Sequence, residues 1–296
     1  MSILLQKIQN RLIRNIYNLP FLQHQAELEY QEALAKHIVN LPIISPDEMN
    51  LIETINNEGV AITSLEALGI ASTTSMFESA KSLMYQIPSP SEDNSNEFVV
   101  HANPQQIMAY PELFLWGLEQ RLINLVETYI GLPVAYHGAY LRRDIANQIE
   151  QKSRLWHIDK EDRKVLKIIV YLQDMSEDRG PFQYIPLALT SSLSQSLKYH
   201  HGYIQDATMQ KVISPTEYKS CLGAAGTVII ASTGSIFHRG KVPVAGDRFA
   251  LFYDYTSRIQ TQSFYGYLSL SHEDLLLLSQ HLSQPQKDCI FWQQKP

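Results

Sequence analysis

The sequence predicts an α+β fold with a mainly β core: an antiparallel double-sheet jelly roll, with a helical N-terminal region packed on it. Two observations point there. The first hundred residues carry apolar positions at helical spacing together with helix-capping signals. From Val134 onward the pattern changes to short β-rich runs, among them VAYHGAYL, VLKIIVYL, FQYIP, GTVIIAS, SIFHRG and RFALFYDY. These runs are separated by turn residues rather than by a helix between each pair, which argues for a sandwich or barrel and against a parallel α/β sheet.

The elements follow in order. Leu5, Ile8, Leu12 and Ile16 recur at helical spacing and predict an opening helix packed on its own protein. Lys7, Arg11 and Arg14 interrupt any apolar run, so this start does not read as a signal peptide. A second helix is expected over 24–40, ended by Leu41-Pro42. SPDE at 45–48 is a capping box with proline at the first helical position, and Gly59 suits the residue after that helix. Val60-Ala61-Ile62 reads as a short strand and 73–85 as a helix. PSPSEDNSN at 88–96 has no apolar residue and two prolines, so it reads as a flexible linker or a loop over a site. A long helix is expected from Pro111 to Ile130, ended by Gly131. SPTE at 214–217 repeats the capping pattern, and a last helix is expected from His272 to about Leu282. The expected organisation is a helical region 1–100 in the same globular unit, a β core 101–270, and a C-terminal helix and tail 271–296.

Composition narrows the function classes. At 296 residues the chain can bury a sizeable core, and a net charge of −6 argues against nucleic-acid binding, which needs a basic surface. Cys221 and Cys289 supply no disulfide framework and no multi-cysteine zinc motif, as expected of a reducing, cytoplasmic setting. No run is long and apolar enough to predict a membrane span.

The chemistry concentrates in LWHIDKED, 155–162. On an extended segment residues i and i+2 share a face, so His157 and Asp159 can present an imidazole and a carboxylate to one metal ion. A third ligand is offered by His238, at the end of an apolar run in SIFHRGKVPVAGDRFALF, 235–252. Two histidines and one carboxylate make the facial triad of non-heme Fe(II) oxygenases, which leaves positions open for a bidentate cosubstrate and O₂. Arg248 opens the next apolar run, and its guanidinium fork suits the distal carboxylate of 2-oxoglutarate.

WHIDKED, VLKIIVYLQDMSEDRGPFQYIP, GTVIIASTGSIFHRG and GDRFALFYDYTSR together resemble the phytanoyl-CoA dioxygenase-like family of Fe(II)/2-oxoglutarate-dependent oxygenases, over about residues 134–258. The resemblance implies a double-stranded β-helix, a cupin-like jelly roll. It implies that His157, Asp159 and His238 bind iron and that Arg248 holds 2-oxoglutarate. It further implies a dioxygenase that hydroxylates an unactivated C–H bond of a small metabolite or natural-product intermediate, releasing succinate and CO₂. The chain departs from some members at two places. Gly240 stands where they carry a serine or threonine that helps hold the cosubstrate, and Ile158 where they carry a glutamine. The carboxylate ligand, Asp159, favours hydroxylation over the halogenation performed by relatives that replace it with a small residue.

Other residues are weighed individually. Trp156 is a candidate for cofactor contact, with plain core packing as the alternative. Tyr140 is a similar candidate because it shares a face with Arg142. Arg142 and Arg143 face opposite ways on a strand; one can point inward, but a solvent-exposed pair is the expectation. His200-His201 do not converge, and His101 and His137 read as structural. Two other functions use the same scaffold: a zinc hydrolase on the same three ligands, which has no use for Arg248, and a jelly roll that binds ligand without turnover.

Overall fold

The computed structural model describes residues 20–90, 96–259 and 270–293. The predicted opening helix, Leu5 to Ile16, lies outside them, as do residues 91–95 of the predicted flexible segment. Two compact units divide the chain, Met1–Leu41 and Pro42–Pro296. In the first, a helix spans Pro20–His37 and tightens into a single 3₁₀ turn, Ile38–Asn40. Leu41 leaves it with φ −59° and ψ 138°, the extended conformation that a following proline imposes.

In the second unit the helix Pro46–Glu58 starts as expected. Ser45 Oγ accepts from Glu48 N at 3.3 Å and Glu48 Oε2 accepts from Ser45 N at 2.7 Å, while Gly59 ends the helix at φ 89°. Nine strands follow among the described residues: β1 (Val60–Ser64), β2 (Val99–His101), β3 (Val134–Asp144), β4 (Leu166–Tyr171), β5 (Phe182–Tyr184), β6 (Lys219–Ser220), β7 (Thr227–Ala231), β8 (His238–Gly240) and β9 (Arg248–Ser257). They form a six-stranded sheet in the order β1-β7-β4-β9-β3-β2 and a three-stranded sheet in the order β6-β5-β8, antiparallel throughout. Strands β1 and β2, drawn from the predominantly helical first part of the chain, therefore complete the edges of the large sheet.

The two sheets face one another across a shared core. Val60, Tyr140, Ile169, Tyr171, Ile229 and Phe252 from the large sheet pack with Phe182 and Tyr184 from the small one. The large sheet's other face is also covered: Trp116 packs on Tyr253 (5.0 Å between ring centres) and Phe114 on Tyr136 (5.1 Å). Burial on both faces explains why β4 and β7 read as continuous apolar runs rather than alternating ones. This is the predicted jelly-roll arrangement, and its barrel is not closed.

Three predicted elements differ. The helix expected over Pro111–Ile130 is two helices, Pro111–Trp116 and Gln120–Ile130. Tyr255 Oη donates to Gly117 O at 2.8 Å, and a Cβ on Gly117 would stand 2.5 Å from Tyr136 Oη, so the sheet's tyrosines occupy the break. SPTE forms only a 3₁₀ turn, Pro215–Glu217, because Ser214 accepts from Thr216 N instead of completing a capping box. The C-terminal helix stops at Leu278, and a second one, Gln284–Ile290, starts where Gln286 Oε1 accepts from Ser283 N at 3.0 Å. No helix among the described residues is long and apolar enough to cross a membrane.

Candidate metal centre

The segment carrying His157 and Asp159 is extended, as its spacing predicts, and it lies along β8. His157 N donates to His238 O at 3.1 Å and His238 N donates to His157 O at 3.0 Å, so the two histidines form a hydrogen-bonded antiparallel pair. Trp156 makes the same reciprocal pairing with Ile204, at 3.0 and 2.8 Å. Asp159 N donates to Thr233 O at 3.0 Å, which turns the carboxylate toward the same place.

Each imidazole is then set by a carbonyl two residues earlier. His157 Nδ1 lies 2.8 Å from Leu155 O and His238 Nδ1 lies 3.2 Å from Ile236 O. A carbonyl only accepts, so Nδ1 carries the proton in both rings and each Nε2 keeps its lone pair. Those Nε2 atoms lie 3.7 Å from Asp159 Oδ1 and 3.8 Å from Asp159 Oδ2, respectively. One donor atom from each of the three residues falls within 4.8 Å of the others. Two imidazole nitrogens and a carboxylate oxygen so arranged fit a divalent ion with positions to spare.

Electrostatics keep the donors deprotonated. Burial lowers His157, and burial with the neighbouring His157 ring brings His238 down to about 3, so both rings are neutral at pH 7. Burial pushes Asp159 up, but the opposing groups, the Lys167 ammonium foremost, outweigh it and hold the carboxyl well below the usual range. Lys167, on β4, places Nζ 3.0 Å from Asp159 Oδ2.

The triad opens into a cavity of about 110 Å³ between the two sheets. That is well under the roughly 300–1,000 Å³ of a typical ligand site, so the enclosed space suits one small molecule and a larger one must approach from the mouth. At the mouth stands Tyr203, 52% exposed, its ring centre 5.1 Å from that of His157.

The wall of the cavity contributed by β3 and β9 is cationic. Arg248 is 3% exposed; its Nε and Nη2 donate to Asp144 Oδ2 at 3.1 and 2.8 Å, and its Nη1 donates to Gly180 O. Arg142 is also buried and lines the same cavity, with Nε donating to Asp144 Oδ2 at 2.9 Å and Nη2 to Asp144 Oδ1. Burial works against ionisation of Asp144, but the two guanidiniums outweigh it and hold this fully buried carboxyl far below the usual range.

Of the predicted site residues, His157, Asp159, His238, Arg248 and Tyr140 all line this one cavity. Trp156 does not: its indole is fully buried in a separate cluster with Phe237, with Arg239 Cζ 4.4 Å above the ring and Nε1 donating to Asp206 Oδ1 at 2.9 Å. Its place is packing behind the histidines. The arginine pair is a correction. Arg142 points inward, while Arg143 is partly buried against Asp247 at 2.6 Å. Register decides this, because Asp144 pairs with Arg248 and Arg142 with Ala250, which fixes the phase of the pleat. His200 and His201 are exposed and apart from the site. His137 bonds Thr256 Oγ1 at 2.7 Å, and burial lowers it to about 3 and His101 to about 4, in keeping with structural roles. Lys167, Glu161 and Asp144 went unread as site residues. Lys167 had a signal, a charge inside the otherwise apolar VLKIIVYL, whereas Glu161 and Asp144 stand among other charges, in DKEDRK and RRD.

No family model matches the chain, and no curated protein matches it in sequence. Among solved structures, it is similar to the α-ketoglutarate-dependent epimerase SnoN from nogalamycin biosynthesis, at 14% identity over 72% of this chain and 81% of that one, TM-score 0.48. It is similar to iron-bound HygX from Streptomyces hygroscopicus at 15% identity over 73% and 88%, TM-score 0.47. It is similar to EctD from S. alaskensis, bound to 2-oxoglutarate and 5-hydroxyectoine, at 18% identity over 74% and 78%, TM-score 0.47. At this similarity none of them bears on the chemistry of this chain.

Proposed function

We propose that this protein is an Fe(II)- and 2-oxoglutarate-dependent dioxygenase of the phytanoyl-CoA dioxygenase-like kind, hydroxylating an unactivated C–H bond of a small molecule. The observation that carries the reading is the joining, in one small cavity, of a two-histidine, one-carboxylate donor set with a buried arginine wall. His157, Asp159 and His238 would hold the ion, and Arg248 would hold the distal carboxylate of the cosubstrate. With iron, 2-oxoglutarate and O₂ bound, the cofactor supplies C–H oxidation with release of succinate and CO₂.

The chain's own residues do the rest. Leu155 O and Ile236 O keep both imidazoles in the tautomer that offers Nε2. Ile169, Phe182 and Phe252 line the cavity with apolar surface and keep water from the reacting carbon. Tyr203 stands where the substrate would rest. Asp159 keeps a carboxylate in the position that halogenating relatives leave open. A zinc hydrolase would have no use for two buried arginines facing the metal donors.

The test is anaerobic. Fe(II) and then 2-oxoglutarate, added to metal-free protein, should give a visible metal-to-ligand charge-transfer band. His238→Ala should abolish it, and Arg248→Ala should raise the 2-oxoglutarate needed by roughly 10- to 100-fold, the worth of a charge-assisted hydrogen bond or two. A featureless spectrum with tight zinc binding would instead turn the reading toward hydrolysis.

A further inference from the structure

We infer that Arg142 is a second anchor for the cosubstrate: Arg142 and Arg248 form one two-guanidinium clamp on its distal carboxylate. The identity of the acid rests on the oxygenase reading above; the clamp itself rests on charge and geometry.

Three observations carry it. First, the two guanidiniums stand together on one cavity. Arg142 (5% exposed) and Arg248 (3%) both line the cavity and both donate to the carboxylate of Asp144 behind them. An acid entering this cavity therefore meets two guanidiniums side by side rather than one.

Second, Arg142 is held as rigidly as Arg248. Asp144 takes its Nε and one Nη, Ser153 Oγ lies 3.4 Å from Nη2, and Cζ sits 5.2 Å from the centre of the Phe252 ring. Phe252 is itself stacked on Tyr140, at 5.0 Å and 3°. A guanidinium fixed in plane is suited to forked recognition of a carboxylate, and little freedom is lost when one binds.

Third, residue 240 makes room for this arrangement and cannot itself contribute. A Cβ there would stand 2.7 Å from Arg248 Nη2. A hydroxyl-bearing side chain at 240 and Arg248 in its observed pose exclude one another. Additional donors to the anion must come from another strand, and Arg142 on β3 supplies them.

Glutarate tests the clamp without iron, because it has the distal carboxylate and no 2-oxo acid to chelate a metal. Calorimetric titration of metal-free protein should show binding in the wild type. Arg142→Met should weaken it by roughly 10- to 100-fold, as should Arg248→Met. Arg142→Lys should lose less, since it keeps the charge and not the fork. Arg143→Met removes the neighbouring arginine from the opposite face and should change nothing. In the Fe(II)-loaded protein, Arg142→Met should weaken 2-oxoglutarate in the charge-transfer titration but leave 2-oxobutanoate, which lacks a distal carboxylate, unaffected. Wild-type glutarate affinity in Arg142→Met overturns the clamp, and so does an equal loss for 2-oxobutanoate. Absence of glutarate binding to the wild type also overturns it. Should Arg142→Met fail to fold, unchanged affinity in Arg142→Lys would overturn it. Arginine-dependent glutarate binding without any charge-transfer band would uphold the clamp and remove the oxygenase reading.

Discussion

A methyl group at position 240 would press on Arg248 Nη2 at 2.7 Å. Arginine ends are usually free to move aside, but this one is tied to Asp144 and to Gly180 O. Moving it costs those bonds. Gly240→Ser should therefore displace the guanidinium and weaken 2-oxoglutarate by about tenfold or more, read by the same anaerobic titration, with Fe(II) affinity unchanged. A tighter complex would mean that the serine hydroxyl can be accommodated after all. At this scale the sequence was most legible where chemistry restricts residue type. An imidazole and a carboxylate two apart on an extended run have one obvious joint use, and His157 and Asp159 do converge with His238. Arg142 was harder to read. The pleat makes Arg142 and Arg143 face opposite ways, but the phase depends on which residue of β9 pairs with which residue of β3, and no local pattern in YLRRD contains that. Trp156 was ambiguous for a related reason: an aromatic residue next to His157 points to the other side of the strand from both His157 and Asp159.

Among the elements, helix boundaries that depend on capping chemistry were readable, as Ser45, Glu48 and Gly59 show. Those that depend on a neighbour were not. Nothing in PELFLWGLEQRLINLVETYI announces a break, and Gly117 alone costs a helix only about 1 kcal/mol relative to alanine. The break is made by the sheet beneath, which supplies Tyr255 Oη to the Gly117 carbonyl and packs Tyr136 and Tyr253 where a side chain would go. Gly117→Ala raises intrinsic helix propensity but overfills that contact, so it should destabilise the protein by about 1–3 kcal/mol in urea unfolding. A gain in stability would show that propensity, not packing, governs the junction. The bulge in β3 is comparable. The register shifts between Tyr136 and Ala139, where Gly138 adopts φ 100°, and the strand then continues in phase to deliver Tyr140 and Arg142 to the cavity, with Asp144 behind Arg142.

For the whole molecule, the jelly roll was legible because a sheet covered on both faces leaves long apolar runs, and the runs came without helices between each pair. The charge buried between the sheets was not, since a formal net charge of −6 says nothing of where charges lie. That buried charge makes stability depend on pH. Burial pushes the Asp254 carboxyl up to about 7, with Lys167 opposing the rise. In the unfolded chain the same group ionises near pH 4. Its folded value is raised, so the stability it contributes is complete below about pH 4 and is lost as pH climbs through 7. Asp159 and Asp144 act the other way, in a separate window below about pH 4. In metal-free protein, Asp254→Asn should flatten the fall in stability between pH 4 and 8, a difference of up to about 4 kcal/mol, followed as Tm against pH. Parallel wild-type and variant curves would mean that Asp254 ionises normally.

The reciprocal hydrogen bonds between His157 and His238 have a last consequence. These residues are 81 positions apart in sequence, and bringing together groups so distant carries an entropic cost of chain closure. Here the backbone ladder has already met that cost, and the ion meets none of it. A metal that arrives therefore spends its coordination energy on being bound rather than on folding the chain around itself. One that leaves takes no architecture with it. The centre is a seat and not a rivet, as the oxygenase proposed above would need it to be.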